Sequence, residues 1–94
     1  MIIDEYNFEL TCGACPEQYD VFDEDGNQVA YVRLRWGHLR VDVPDCGGEL
    51  LYEHNFPDSF KGMFMNEHER RYYLQRIAKK LKDKKLNEKN LDKS

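Results

Sequence analysis

The fold is decided by residues 28–43, which read QVAYVRLRWGHLRVDV. Apolar side chains occupy alternate positions in this stretch, and a period of two is typical of a β-strand with one buried face. In the first half, the predicted core face consists of Ala30, Val32, Leu34 and Trp36. Gly37-His38 suits a type II′ turn, in which glycine comes first. The stretch therefore predicts a β-hairpin.

Closure of this hairpin at Gly37-His38 predicts a register in which every core-face pair is apolar. The predicted pairs are Trp36 with Leu39, Leu34 with Val41, and Val32 with Val43. A slip of one residue would turn the apolar side chains of one strand toward solvent, so the register is strongly specified. On the other face, Arg33 would lie opposite Asp42, and Arg35 would lie opposite Arg40.

Further reversals extend the hairpin in both directions. Asp25-Gly26 is typical of a two-residue type I′ turn, because both central positions need a positive φ. It predicts pairs of Val21 with Ala30 and of Tyr19 with Val32. The loop 44–48 leads to a strand at 49–54, with predicted pairs of Val43 with Leu50 and of Val41 with Tyr52. An opening strand, in which Tyr6, Phe8 and Leu10 alternate with polar residues, is predicted without a defined partner.

A helix is predicted to follow the sheet. Asn66, with Glu69 three residues later, resembles a capping box. The apolar stripe at helical spacing consists of Tyr73, Leu74, Ile77, Ala78 and Leu81. The predicted fold class is α+β, an antiparallel β-meander of four to five strands packed against one C-terminal amphipathic helix. Residues 1–86 form a single domain, and residues 87–94 a flexible charged tail with too little apolar area to offset ordering entropy.

The three cysteines predict reduced thiols. Their odd number, without a recognisable secretion signal, argues against a disulfide framework and favours a cytoplasmic protein. No apolar run reaches the roughly 18 to 20 residues of a membrane span, so no membrane contact is expected. A thioredoxin-type redox site at Cys12 and Cys15 is disfavoured because a strand, not a helix, follows.

A zinc site is the alternative reading of these cysteines. Thiolate and imidazole ligands suit zinc, and the predicted sheet places four candidates at one end: Cys12, Cys15, His38 and His54. Cys46 is excluded, because its loop lies at the opposite end of the strands. The obstacle is the lateral distance between the first and last strands. The favoured interpretation is therefore that the cysteines are structural, with no metal and no cofactor.

Enzymatic chemistry finds little support in the sequence. The hydroxyl side chains Thr11, Ser59 and Ser94 lack the signature of an activated nucleophile. The glycines at 47 and 48 lack the spacing and the following lysine of a phosphate-binding loop. The acidic turn at 23–27 lacks the glycine and glutamate that a calcium loop needs. The chain is therefore not expected to be an enzyme.

Charge divides the chain into two parts. Residues 1–60 carry 13 acids and three arginines, whereas residues 61–94 carry 11 bases and five acids. The basic helical segment 70–89 could neutralise nucleic-acid phosphates through Arg71, Arg76, Lys79, Lys80 and Lys84. The pI of 5.3 disfavours this alternative, since nucleic-acid-binding domains are usually basic.

The leading prediction is a small non-enzymatic protein-interaction module. It is expected to be a regulator or inhibitor whose acidic sheet body binds a basic protein surface, including that of a nucleic-acid-handling partner. The residues expected at the interface are Tyr31, Arg33, Arg35, Arg40, Asp20 and Asp42. Direct nucleic-acid binding and a zinc-stabilised adaptor are the alternatives. Pairing of two exposed edge strands leaves a homodimer open, and the sequence does not identify the partner.

Overall fold

The sheet is a meander of six antiparallel strands in which each strand pairs with the next along the chain. The computed structural model describes residues 1–92, and the side chains as far as Glu88. The elements are β1 (Ile2–Ile3), β2 (Tyr6–Gly13), β3 (Glu17–Phe22), β4 (Gln28–Arg35), β5 (His38–Val43), β6 (Glu49–Asn55) and α1 (Glu67–Asp92). The predicted class is confirmed, with six strands in place of four to five. The opening strand is β2, which lies between β1 and β3.

The core lies between one face of this sheet and α1. Alternate side chains of the three central strands are fully buried: Val21, Ala30, Val32, Leu34, Leu39 and Val41. The helix contributes Leu74, Ile77, Ala78 and Leu81, while Tyr73 is half-buried at the edge of the cluster. The alternating pattern and the helical stripe therefore meet as predicted, because each supplies an apolar surface that must be covered.

The β3–β4 hairpin keeps its predicted pairs but turns differently. Val21 pairs with Ala30, and Tyr19 pairs with Val32, as predicted. The turn is longer than two residues: Gly26 N–H donates to the Asp23 carbonyl over 3.1 Å, and the Asp23 carboxylate accepts from the N–H groups of Asp25 and Asn27. Aspartate favours such a turn because its side chain bonds to backbone just ahead. A bulge at Val29 then restores the predicted register.

The β4–β5 hairpin turns one residue earlier than predicted. Trp36 and Gly37 form the turn with φ values of 53° and 71°, and Arg35 pairs with His38. Two consecutive positive φ values define a type I′ turn, whose twist matches that of the flanking strands. Leu34 consequently pairs with Leu39, and Val32 pairs with Val41.

This change corrects the predicted register by two residues. Because side-chain direction has a period of two, the buried faces of both strands are unaffected. Trp36 is the exception: it lies in the turn and is 63% exposed, so its predicted place in the core is wrong. At the next hairpin Val41 pairs with Tyr52 as predicted, but a bulge at Leu51 pairs Val43 with Glu49 instead of Leu50.

The linker from β6 to α1 crosses the end of the sheet and is hydrogen-bonded to it. Gly37 N–H donates to the Lys61 carbonyl over 2.8 Å, and Cys15 N–H donates to the Gly62 carbonyl over 2.9 Å. A Cβ atom on Gly37 would lie 2.5 Å from the carbonyl oxygen of Asp58. Close approach of the linker therefore needs glycine at this turn, as does the positive φ.

Gly37→Ala is expected to lower the free energy of unfolding by about 2–4 kcal/mol, because it combines a backbone clash with an unfavourable φ. Urea denaturation followed by circular dichroism would measure the change. Gly13→Ala is the matched control, since a Cβ there meets no atom within 4 Å and φ is not positive. Equal stability of the two variants would contradict the close packing of the linker on the turn.

The start of the helix is capped by side chains. Glu69 N–H donates to Asn66 Oδ1 over 2.9 Å, and Met65 N–H donates to Glu69 Oε1 over 3.0 Å. The capping box is therefore present, with its second bond one residue earlier than in the usual pattern. Lys61 adds an ion pair to Glu69 at 2.7 Å. Although burial acts to raise the pKa of Glu69, its bonds to Lys61 and Met65 outweigh this effect and lower it.

The helix extends beyond the predicted domain boundary at residue 86. It continues to Asp92, and an ion pair between Lys84 and Glu88, spaced i,i+4, supports this extension. Most of the predicted tail 87–94 is thus helical, whereas residues 93 and 94 lie outside the described part of the chain. Within residues 1–92, no helix is both long and apolar enough to span a lipid bilayer.

Glu17 forms a buried polar cluster where the helix begins. Its carboxylate is 1% exposed and accepts bonds from Arg70 Nε over 2.7 Å, from Phe64 N–H over 3.0 Å, and from the Tyr19 hydroxyl. Burial, followed by the bond to Glu17, raises the pKa of Tyr19. The bond to Glu17 likewise raises the pKa of Arg70. These contacts join β3, the linker and α1 at one point.

Candidate functional site

The face of the sheet opposite α1 carries no second layer, since no other helix or strand occurs within residues 1–92. We call it the outer face. All six predicted interface residues point to it: Asp20, Tyr31, Arg33, Arg35, Arg40 and Asp42. Asp20, Tyr31 and Asp42 form one cross-strand row. Arg33 lies directly opposite Arg40, which corrects the predicted pairs of Arg33 with Asp42 and of Arg35 with Arg40.

The two predicted acids of the outer face are engaged within the chain. Asp42 is only 6% exposed; it accepts a bond from Arg40 Nε over 2.6 Å and another from Gly47 N–H over 3.2 Å. Asp20 accepts a bond from Gln28 Nε2 over 3.1 Å. Both carboxylates therefore stabilise the sheet and its loop, and are less available to a partner than the sequence predicted.

Two of the three arginines at the Trp36 end, Arg33 and Arg35, have no charged partner of this kind in the part of the chain that the structure describes. Among the described residues, neither Arg33 nor Arg35 has a carboxylate within 4 Å. Arg33 Nε is buried and has no hydrogen-bond partner among the described residues. We use the name arginine cavity for the space of about 250 Å³ that is lined by Arg33, Arg35, Trp36, His38 and Arg40.

An exposed aromatic pair borders the arginine cavity. Trp36 and Phe60, which is 79% exposed, meet edge to face with their ring centroids 6.4 Å apart. The Arg35 guanidinium lies 5.5 Å from the Trp36 ring centroid, within the range of a cation–π contact. Met63 and Met65, from the same linker as Phe60, are also exposed. Sequence reasoning missed this pair, although the Trp-Gly dipeptide at a hairpin reversal was a signal for it.

Charge changes sign along the outer face. The arginine cavity lies at the end where β4 turns into β5, whereas the β3–β4 and β5–β6 loops lie at the other end. Exposed acids lie in those two loops: Glu24, Asp25 and Asp45. The outer face is thus rich in arginine and aromatic side chains at one end, where Glu53 is bonded to His38, and acidic at the other.

The four zinc candidates do not converge. Cys12 is on β2, Cys15 is in the following loop, and the two histidines point to opposite faces of the sheet. His38 Nε2 lies 2.9 Å from Glu53 on the outer face, whereas the ring of His54 packs 5.2 Å from that of Tyr73 on the helix side. The register of β5 and β6 explains this. His54 pairs with Leu39 and shares its face of the sheet, whereas His38, the residue before Leu39, points to the other face. Nowhere in the described chain are three His, Cys, Asp or Glu side chains arranged to hold a metal ion.

The basic helix face is exposed but only partly free. Arg71, Arg76, Lys79 and Lys80 are exposed, whereas Lys84 pairs with Glu88. The nearby Lys82 and Lys85 reach the acids Asp4 and Glu5 of the first hairpin over 3.9 and 3.4 Å. Part of the positive charge is therefore neutralised within the chain, which weakens the nucleic-acid alternative.

The arginine cavity and the Trp36–Phe60 pair together form the candidate site. They combine the unpaired guanidinium groups of Arg33 and Arg35 with two exposed aromatic rings on an uncovered sheet. The described part of the basic helix face offers a single contact between an arginine and an exposed ring, that of Arg76 with Tyr72. Because a fold hosts many functions, only the chemistry of the site bears on function here. No protein-family model, no curated protein and no solved structure matches this chain.

Proposed function

We propose that this chain is a small non-enzymatic module that binds a partner protein through its outer face and thereby regulates or inhibits that partner. One observation carries the proposal: an uncovered sheet face whose basic end presents Trp36 and Phe60 beside three arginines. Tryptophan and arginine are enriched among the residues that dominate binding energy, and aromatic residues in general are enriched at interfaces. A cytoplasmic location belongs to the same proposal.

The division of charge supports a partner of matching polarity. The acidic loops at one end of the outer face favour basic residues on the partner, as the leading sequence prediction holds. At the other end, Arg33 and Arg35 favour acidic residues. A charge-split contact of this kind fixes the orientation of two proteins and rejects partners of the wrong pattern.

Charge reversal at Arg33→Glu with Arg35→Glu is expected to weaken capture of the partner from a lysate of the native host by more than about a hundredfold. Like charges placed against a complementary surface cost several kcal/mol, which is the reason for this size of effect. Quantitative pull-down with the tagged protein would measure the loss. Circular dichroism and thermal melting would show that the variant remains folded.

Lys79→Glu with Lys80→Glu is the matched control, because it makes the same change of charge on the exposed helix face. This control should capture the partner as the unaltered protein does. Loss of binding in the helix variant, with capture retained by the outer-face variant, would overturn the proposed surface. Release of the captured material by nuclease in that case would favour the nucleic-acid alternative.

A further inference from the structure

We infer that the arginine cavity is a carboxylate-binding site that takes a short acidic segment of the partner protein. This inference rests on the proposed function and specifies the chemistry of the partner. Its first support is the pair of Arg33 and Arg40 directly opposite each other on neighbouring strands. Like charges in this position are unfavourable, and the two carboxylates beside the pair serve Arg40, since Asp42 is bonded to it and Glu53 lies opposite it.

The ion pairs of the cavity show which arginines are available. Arg40 is held by Asp42 at 2.6 Å, and His38 by Glu53 at 2.9 Å. These two bonds fix the walls of the cavity and leave the charges of Arg33 and Arg35 uncompensated. The buried Nε of Arg33 adds a donor without an acceptor among the described residues. Buried donors normally have a partner, so this atom shows that the hydrogen bonds of Arg33 are not all satisfied within the described residues.

Guanidinium geometry selects the class of acceptor. The planar fork of arginine donates two parallel N–H bonds that match the two oxygens of a carboxylate. The Arg35 guanidinium, 5.5 Å from the Trp36 ring centroid, is oriented by this aromatic contact. The Trp36–Phe60 pair next to it offers an apolar surface. The recognised segment therefore carries Asp or Glu beside a large apolar residue.

The surroundings favour an acidic polypeptide over a nucleic acid. Nucleic-acid backbones carry a regular series of phosphates, and binding them requires several basic side chains in succession. Here the basic groups are confined to one end of the outer face, where the exposed Glu53 lies opposite Arg40, and the exposed acids Glu24 and Asp25 lie at the other end. The net charge of the chain is −4, which further opposes a long polyanion. A short acidic segment fits the single basic cluster.

Trp36 is the only tryptophan of the chain, so its fluorescence reports directly on the cavity. The probe is a synthetic peptide with three Glu residues beside Phe and Leu, titrated into the full chain at about 50 mM salt. A matched peptide with Gln in place of Glu, inorganic phosphate, and a single-stranded oligonucleotide serve as comparison ligands. We expect a saturable change with the acidic peptide that weakens as salt rises.

Substitutions assign this binding to the cavity. Arg33→Gln and Arg35→Gln should each weaken the acidic peptide by about tenfold to a hundredfold, as expected for lost hydrogen bonds to a charged group. Arg33→Lys, which keeps the charge without the fork, should recover only part of the loss. Lys79→Gln on the helix face should bind like the unaltered chain. Thermal melting of each variant separates loss of binding from loss of folding.

Several outcomes would overturn the inference. The first is the absence of a saturable fluorescence change with the acidic peptide, and the second is an Arg33→Gln variant that binds this peptide as tightly as the unaltered chain. The others are comparison ligands, the Gln peptide, phosphate or the oligonucleotide, that bind as tightly as the acidic peptide or more tightly. The peptide titration can fail while charge reversal of Arg33 and Arg35 still abolishes capture of the partner. That result would reject only the carboxylate chemistry and would leave the proposed interaction surface in place.

Discussion

Glu17→Ala is expected to lower the free energy of unfolding by about 3–5 kcal/mol, the cost of breaking a buried ion pair by removal of one partner. The Glu17 carboxylate accepts from Arg70, from the Tyr19 hydroxyl and from the backbone N–H of Phe64. Its loss leaves two interior donors, the Tyr19 hydroxyl and the Phe64 N–H, without an acceptor, and among the described residues Arg70 keeps only its pair with Glu67 at the exposed start of the helix. For a chain of this size the melting temperature should fall by roughly 12–30 °C.

Two comparisons make the Glu17 experiment specific. Glu88→Ala removes a carboxylate from an exposed i,i+4 pair with Lys84, and it should cost no more than about 0.5 kcal/mol. Glu17→Met combined with Arg70→Met replaces the buried pair by apolar side chains, and it should recover the part of the loss that comes from leaving the Arg70 charge without Glu17. Similar stabilities of the Glu17→Ala and Glu88→Ala variants would contradict the role of this cluster in fixing the helix.

The sequence contained enough information for the fold because its strongest signals are local. Alternation of apolar residues from Tyr19 to Tyr52 defines the buried face of each strand, whatever the details of the turns. The β4–β5 hairpin illustrates this, since a two-residue error in register left Leu34 and Val41 in the core. The capping residues Asn66 and Glu69 likewise marked the helix start within one residue.

What escaped prediction depends on contacts between distant parts of the chain. The alternation of β3 places Glu17 on the same face as Tyr19 and Val21, but its partner Arg70 lies 53 residues away, so the sequence does not show how a carboxylate can be buried there. The bulges at Val29 and Leu51 depend on the turns that they accommodate. Trp36 was assigned to the core because it lies two residues after Leu34 and would share its face in a continuous strand, whereas the type I′ turn removes it from the strand.

The three arginines of the candidate site were among the residues proposed from the sequence, whereas its aromatic pair and its shape were not. All six interface residues lie on the outer face, yet Asp20 and Asp42 are bonded within the chain. The arginine cavity arises from the shifted register, which sets Arg33 against Arg40, and from a linker that brings Phe60 beside Trp36. Register and linker path are tertiary properties, so neither could be read from one strand alone.

Trp36→Asn is expected to raise the stability of the chain while weakening partner binding by about 2–4 kcal/mol, or roughly 30-fold to 1,000-fold. A bulky residue with a φ of 53° is strained, and Asn-Gly is the most favourable pair for a type I′ turn. Relief of this strain should add about 0.5–1 kcal/mol to the free energy of unfolding. Urea denaturation and quantitative capture of the partner would measure the two effects on the same protein.

Opposite signs of these two effects would identify Trp36 as a binding residue kept at the expense of turn stability. Phe60→Ala is the companion variant, because it removes the other exposed ring without altering the turn. It should weaken capture with little change in stability, since surface substitutions usually stay within about 0.5 kcal/mol. Unchanged capture by a stabilised Trp36→Asn variant would reduce Trp36 to a turn residue and remove the aromatic half of the proposed interface.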